Sequence, residues 1–197
     1  MLDSLHPHTH EHLQLGEGVL LRGTDLDAVL LAVNPAAALA DVMERDENRI
    51  GVTKAGCIFR CVPRMVDTTC GHRTPAEGET LVGRWEVTLS GVLMEISPAN
   101  AALLLNIPEY AATGGRTVMV PEPTPVPVSQ GDVCWVGDTG SGLLAIHLRR
   151  PVSTGGLVFQ ATAGGLGEMP FTLMAQKRHP EETGIPCRLL WLPEVNA

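Results

Sequence analysis

The stretch RWEVTLSGVLMEISPANAALLLNI, residues 84–107, decides the fold because its hydrophobic period changes part-way along. Apolar and polar residues alternate over residues 84–90, and a period of two predicts an amphipathic strand. The alternation ends at Ser97 and Pro98. Serine can accept the free N–H groups of a first helical turn, and proline suits the first helical position. The stretch therefore predicts a strand followed by a short helix of about two turns.

Strand patterns also occur on both sides of this stretch. Residues 18–23, GVLLRG, form a candidate strand, and in GCIFRCVPRMV the residues Cys57, Phe59 and Cys61 share one face. DVCWVG and LLAIHLRR flank the turn DTGSG as a hairpin, and GGLVFQAT, MPFTLMAQ and CRLLWL are further strand candidates. Short strands at regular spacings predict a mainly β fold, a β-sandwich or barrel with one short flanking α-helix.

The remaining segments complete the predicted organisation. Residues 1–18 are polar and rich in histidine and predict a flexible N-terminal arm, and residues 19–197 predict a single β-rich domain. LDAVLLAV is a short element of uncertain type, and residues 35–49 predict a helix that begins at a proline. Residues 67–79 lack a period and predict a long loop. PEPTPVPV predicts a stiff, extended connector because proline recurs at every second position.

Composition and charge exclude several classes of function. The chain has 197 residues, 44% of them hydrophobic, and 14 Lys and Arg against 22 Asp and Glu give a net charge of −8. Such a charge disfavours a grip on nucleic-acid phosphates. No apolar run reaches the length of a membrane span, and the N-terminus has no signal-peptide pattern, so we expect a cytoplasmic chain.

Five cysteines at irregular spacings indicate reduced thiols. Aromatic residues are few, and Trp85, Trp135 and Trp191 are expected to be the larger fillers of the core.

Catalytic motifs are scarce. Neither G-x-x-x-x-G-K-[ST] nor G-x-G-x-x-G occurs, so no nucleotide pocket is indicated. A nucleophile elbow is also absent, and Gly140-Ser141-Gly142 has the composition of a hairpin turn. Glu86 and Glu95 are too far apart in the pattern to predict a catalytic pair. The sequence predicts neither enzymatic activity nor a cofactor.

The histidine-rich arm is the main candidate for a metal site. His6, His8, His10 and His12 alternate along the chain, and the spacing of His10, His12, Glu17 and Gly23 is similar to that of the first cupin motif. That motif lies on barrel strands and has glycines at other spacings, so a solvated arm is the preferred interpretation. A small cupin-like metal-dependent enzyme is the alternative from another class of protein.

A second combination of metal-binding residue types is Cys57, Cys61, Cys70 and His72. Its spacing matches no common zinc finger, and the first two cysteines share a strand face with Phe59. Buried thiols of the core are therefore the preferred interpretation. His147 and His179 are isolated in the sequence and are expected to be structural.

The ordered set of motifs resembles the major tail proteins, or tail tube proteins, of long-tailed bacteriophages. The resemblance covers about residues 13–180. It rests on LQLGEGVLLRG, IGVTKAGCIFRCVPRMVD, the charged loop, WEVTLSGVLMEISPANAALLL, GDVCWVGDTGSGLLAIHLRRPVSTGGLVFQAT and MPFTLMAQ, in this order. Three segments do not match the family's pattern: the histidine-rich arm, the proline-rich segment PEPTPVPV and residues 35–49.

This resemblance implies a structural virion protein without a cofactor. It implies hexameric rings that stack into a hollow tail tube, with DNA and the tape-measure protein in the lumen, and contacts with tail terminator and tail tip proteins. No membrane is involved, and the protein would be found in the virion tail and, during assembly, in the host cytoplasm. The arm and the loop would reach neighbouring rings, and the candidate assembly residues are Arg64, Asp67, Arg73, Glu77 and Glu79. Another tail component, such as a tail terminator or a tailocin tube protein, is the closest alternative.

Overall fold

The computed structural model describes residues 18–67, 80–107, 111–113, 116–121, 131–138, 142–160, 167–177 and 184–193. Its helices are α1 (Leu26–Leu31), α2 (Pro35–Glu44) and α3 (Pro98–Leu104), with a short 3-10 helix at Asp46–Asn48. Its strands are β1 (Gly18–Arg22), β2 (Arg49–Asp67), β3 (Thr80–Leu93), β4 (Ala111–Thr113), β5 (Arg116–Val118), β6 (Val133–Asp138), β7 (Gly142–Leu148), β8 (Val152–Ser153), β9 (Met169–Met174) and β10 (Cys187–Pro193).

Among these strands, eight form one antiparallel sheet in the order β10-β7-β6-β1-β2-β3-β9-β8, and β4 pairs with β5 separately. The predicted mainly β fold with a flanking helix is therefore confirmed. The predicted hairpin is formed by β6 and β7, which pair from Val133 with Leu148 to Asp138 with Leu143.

The sheet curls towards a barrel. Strands β2 and β10 stand four places apart in the sheet order, which in a flat sheet would separate them by about 19 Å. Instead, the thiols of Cys187 in β10 and Cys61 in β2 lie close enough to interact, and both side chains pack against the same core. The backbone N–H of Gln176, after β9, also donates to the carbonyl of Arg149, after β7, at 3.0 Å. A bulge between Thr53 and Cys57 lets the long strand β2 bend.

The interior of this curled sheet holds the larger core. Its buried residues come from α3 and six strands of the sheet, and include Leu20, Leu89, Trp135, Leu148 and Leu173. Cys57, Phe59 and Cys61 pack against this core while Ile58 and Val62 are exposed, so the predicted half-buried strand is confirmed. The prediction for the tryptophans holds only for Trp135. Trp85 and Trp191 are 41% and 62% exposed. Trp85 precedes the part of β3 that pairs with β9, and Trp191 lies on the edge strand β10.

A second core covers the outer face of the sheet. Helices α1 and α2 pack there against buried residues of β1, β6, β7 and β10, among them Leu21, Cys134, Val136 and Leu192. Strand β6 is consequently covered on both faces, and all five residues from Val133 to Gly137 are buried. Its nearly continuous apolar sequence follows from this double burial.

Helix α3 begins as the sequence predicts. The hydroxyl of Ser97 accepts the backbone N–H of Asn100 at 3.1 Å, and Pro98 is the first helical residue. Asn100 is buried, and its side-chain amide donates to the carbonyl groups of Ile50 and Glu95 at 2.8 and 2.9 Å. This amide joins the helix to β2 and to the end of β3, and satisfies two carbonyl groups in doing so.

One predicted helix boundary and one predicted strand are corrected. Helix α2 ends at Glu44 and not at Arg49, because the chain turns into a 3-10 helix and Arg49 already begins β2. Residues 155–160 of the segment GGLVFQAT do not form a strand: the glycines follow the two-residue strand β8, and of these six residues Gln160 alone bridges to Glu168. Residues 161 and 162 lie outside the described residues. The predicted loop begins where β2 ends, at Asp67, and residues 68–79 lie outside the described residues, as do residues 1–17 and 122–130.

Candidate functional site

A polar pocket of about 430 Å³ lies between the N-terminal end of α1 and the open end of the β6–β7 hairpin, opposite the turn that joins the two strands. Thr24, His147 and Gln176 line it together with charged residues of both signs. The charged residues are Asp25, Asp27, Asp132, Arg149, Arg150 and Arg188. Small-molecule sites are usually concave and contain polar groups that orient the ligand, and this pocket has both features with a more polar lining than most such sites.

The hairpin register explains why these residues meet. Because Val133 pairs with Leu148, Asp132 lies beside the residues that follow β7. On the other side of β7, His147 is opposite Arg188 of β10. Helix α1 closes the pocket from above, and the ion pair between Asp27 and Arg188 joins the helix to β10.

Asp132 organises the base of the pocket. Its carboxylate oxygen Oδ1 accepts the backbone N–H of Arg150 at 3.0 Å, and its backbone carbonyl accepts the N–H of Gly23 at 2.8 Å. Arg150 has φ +43°, in the left-handed region that few non-glycine residues adopt, so the bond to Asp132 holds a strained backbone. The position of Arg150 at the pocket is thereby fixed.

His147 is only 5% exposed. Its Nε2 lies 3.3 Å from Asp132 Oδ2, but the angles do not make a hydrogen bond, and neither ring nitrogen has a hydrogen-bond partner among the described residues. Burial lowers the pKa of His147 below its usual 6.5. The carboxylates of Asp132 and Asp27 oppose this shift, and Arg188 and Arg149 add to it. His147 is therefore neutral at physiological pH.

The lowered pKa of His147 predicts that the protein becomes less stable as the pH falls. Below the ordinary histidine pKa of 6.5 the unfolded chain binds a proton that the folded chain does not, so the free energy of unfolding rises with pH there. The contribution is complete above 6.5 and is lost below it, with a slope of at most about 1.4 kcal/mol per pH unit. Urea unfolding between about pH 5 and pH 7.5 measures it. His147→Gln should have the shallower pH dependence, and equal slopes in both proteins would contradict the prediction.

The residues of the two sets that were considered as metal ligands lie apart from this pocket or outside the described residues. His8, His10, His12 and Glu17 belong to the segment that the structure does not describe. Cys70 and His72 also lie outside the described residues, in residues 68–79, while Cys57 and Cys61 pack against the core inside the curled sheet. Within the described part of the chain, no group of three or more potential ligands is placed to hold a metal ion.

The buried Cys134 and the partly buried Cys57 and Cys187 are expected to react slowly with electrophiles. Burial raises the pKa values of Cys57, Cys134 and Cys187 to about 12, with the neighbouring Cys61 adding to the shift of Cys187. Thiolate is the reactive form, so these thiols should be alkylated by iodoacetamide roughly a thousandfold more slowly than free cysteine at mildly alkaline pH. Mass spectrometry of the separate peptides measures the rates, with urea-unfolded protein as the control. Rapid labelling of Cys134 in the folded protein would contradict the prediction.

Two of the candidate assembly residues, Arg64 and Asp67, lie in the outer half of the β2–β3 hairpin, which comprises residues 62–67 of β2 and 80–86 of β3. Arg64 is exposed, and its Nε donates to Glu86 Oε2 at 2.7 Å across the hairpin. Asp67 ends β2, and Arg73, Glu77 and Glu79 lie outside the described residues. Exposed ion pairs of this kind contribute little to stability, so the Arg64 pair remains available for other contacts.

Apolar side chains dominate the surface of the same part of the hairpin. Met65 pairs with Val82 and Val66 with Leu81, so neighbouring pairs point to opposite faces, and all four side chains are exposed. Among the described strands, β9 pairs with β3 only between Thr88 and Leu93, and β1 pairs with β2 only up to Thr53. In the outer half of the hairpin, no described strand therefore pairs with either backbone edge, and both faces carry exposed apolar side chains.

Sequence reasoning missed the polar pocket. His147 appears isolated in the sequence, and Asp25 and Arg188 are far from it along the chain. The hairpin offered one signal. In an antiparallel pair, the residues before the first strand lie beside those after the second, which places Asp132 near Arg149 and Arg150. Helix α1 and strand β10 had no such signal because their contacts depend on the curled sheet.

No protein-family model matches the chain, and a search of functionally characterised proteins finds no significant match. Among the helices of the described segments, none combines the length and the hydropathy that a bilayer crossing needs.

Proposed function

We propose that this chain is a structural protein of a bacteriophage tail, which assembles into hexameric rings stacked as a hollow tube for DNA passage. One observation carries the proposal: the outer half of the β2–β3 hairpin exposes apolar side chains on both faces, and no described strand pairs with either of its backbone edges. The resemblance of the ordered motifs to tail tube proteins supports the same function.

The exposed hairpin suits self-association. Unpaired strand edges readily pair with another strand, and soluble monomers usually shorten, charge or cover such edges. Here the edge segments also carry Val62, Met65 and Val66, which burial against a neighbour would remove from water. A neighbouring copy that adds its strand to this edge would make a heterologous contact, and repetition of such a contact around an axis closes a ring.

The charge of the chain is compatible with a DNA conduit. A net charge of −8 repels the phosphate backbone, so DNA in the lumen would slide rather than bind. In this proposal the tape-measure protein occupies the lumen before DNA, and tail terminator and tail tip proteins contact the two ends of the tube. A tail terminator or a tailocin tube protein would use the same hairpin surface.

Negative-stain electron microscopy of the purified protein across a concentration series tests the proposal. We expect hexameric rings at low concentration and hollow tubes at high concentration, both unchanged by a metal chelator. Particles that stay monomeric at every concentration would contradict self-assembly. Rings that never stack would favour a tail terminator over a tube protein.

A further inference from the structure

The polar pocket contains two buried side chains whose hydrogen-bonding groups are unsatisfied. Thr24 and His147 are 4% and 5% exposed, and neither the Thr24 hydroxyl nor a ring nitrogen of His147 has a hydrogen-bond partner among the described residues. A buried polar group without a partner costs about 1–3 kcal/mol, and most such groups in folded proteins are satisfied. Both groups line the same pocket, so a bound molecule there would satisfy them together.

One positive charge at the pocket has no carboxylate partner among the described residues. Oδ1 of Asp25 accepts two backbone N–H groups of the first turn of α1, Oδ1 of Asp27 is ion-paired with Arg188, and Oδ1 of Asp132 accepts the backbone N–H of Arg150. Each of the three carboxylates thus has at least one contact within the protein. No salt bridge joins the Arg150 guanidinium to a described carboxylate. A negatively charged hydrogen-bond acceptor in the pocket would supply the missing partner of Arg150.

We propose that this pocket binds a small oxyanion through phosphate or carboxylate oxygens, with the Arg150 guanidinium as its charge partner and Thr24 and His147 as hydrogen-bond donors. The planar guanidinium matches the geometry of both oxyanions. The volume of about 430 Å³ exceeds that of one phosphate group, leaving room for water or for the rest of an organic anion. A cation is disfavoured because the Arg150 guanidinium, which has no carboxylate partner among the described residues, would repel it. The proposal does not depend on tube assembly.

Isothermal titration calorimetry on dilute protein at neutral pH tests the site, with inorganic phosphate and acetate as separate probes and chloride at matched ionic strength. We expect saturable binding of at least one probe, and the tighter probe identifies the oxyanion. Arg150→Gln keeps the backbone N–H that Asp132 accepts, and should weaken binding at least tenfold. Arg60→Gln removes the same charge from an exposed position on β2 and should leave binding unchanged. Absence of saturable binding by both probes, or equal weakening in both variants, would overturn the proposal.

Thr24→Val provides a second test that does not rely on the arginine. Valine has nearly the shape of threonine but no hydroxyl, so it removes one unsatisfied group from the empty pocket and one donor from the occupied pocket. We expect Thr24→Val to be at least as stable as the wild type in chloride, and to gain less stability than the wild type from saturating probe. Equal gains in both proteins would place the bound anion elsewhere and overturn the proposal.

Discussion

Replacing Val66 by aspartate and Leu81 by lysine is expected to weaken assembly strongly while leaving the monomer folded. The two residues are cross-strand partners near the tip of the β2–β3 hairpin and are 52% and 55% exposed. Neither belongs to a buried core cluster, so the monomer loses little packing. Opposite charges on directly opposed residues also keep the hairpin paired.

The expected loss of association follows from burial. Each half-exposed side chain would contribute about 1 kcal/mol when a neighbouring copy covers it, and charged replacements must in addition lose their hydration. Together these effects should raise the concentration needed for assembly by roughly a hundredfold. Analytical ultracentrifugation across a concentration series measures this shift, and circular dichroism checks the fold.

A matched control separates the hairpin from the general effect of charging an apolar surface. Leu31→Asp with Val33→Lys makes the same kind of neutral replacement on side chains at and just after the end of α1 that are more exposed than those of the hairpin. Assembly of this control should equal that of the wild type. Normal assembly of the hairpin variant, or equal loss in both variants, would contradict the role assigned to the hairpin.

Trp135→Ala is expected to lower the free energy of unfolding of the monomer by about 3–5 kcal/mol. Trp135 is completely buried in the inner core, and its indole N–H donates to Thr53 Oγ1 at 3.0 Å. The same hydroxyl accepts the N–H of Gly18 at 3.2 Å and donates to its carbonyl at 3.0 Å. The side chain thus connects three neighbouring strands.

The residues around Trp135 cannot readily fill the cavity that truncation of its side chain would leave. A Cβ placed on Gly18 would lie 2.2 Å from the indole ring, so glycine is required where the backbone of β1 crosses the ring. Truncation to alanine would leave a cavity bounded by backbone, which cannot collapse easily. Since small domains have about 5–15 kcal/mol of stability, the loss is a large share of the total.

Trp191→Ala is the matched control for this prediction. Trp191 is 62% exposed on the edge strand β10, so the same truncation should cost the monomer less than about 1 kcal/mol. Urea unfolding followed by circular dichroism at low protein concentration compares the two variants. If Trp135→Ala does not fold, Trp135→Phe preserves most of the ring and should give an intermediate loss. Equal stability of the Trp135 and Trp191 variants would contradict this description of the core.

The features of the fold that could be predicted from sequence are local ones. The β6–β7 hairpin, the cap of α3 at Ser97 and the buried face of β2 each depend on residues close together in the chain. Periodicity and turn chemistry act over such distances, so the pattern was sufficient. The wrong prediction of a strand over residues 155–160 shows the limit, because a β-prone run becomes a strand only where a partner strand lies beside it.

By itself, the sequence determined the mainly β class, the strand that leads into α3 and the absence of nucleotide-binding motifs. The tertiary structure decided which tryptophan is buried, that Cys61 meets Cys187 and that His147 shares a pocket with Asp27 and Arg150. These outcomes depend on how tightly the sheet curls and on where α1 packs. Contacts between strands four places apart in a sheet have no counterpart in the spacing of residues along the chain, which is why only the folded protein reveals them.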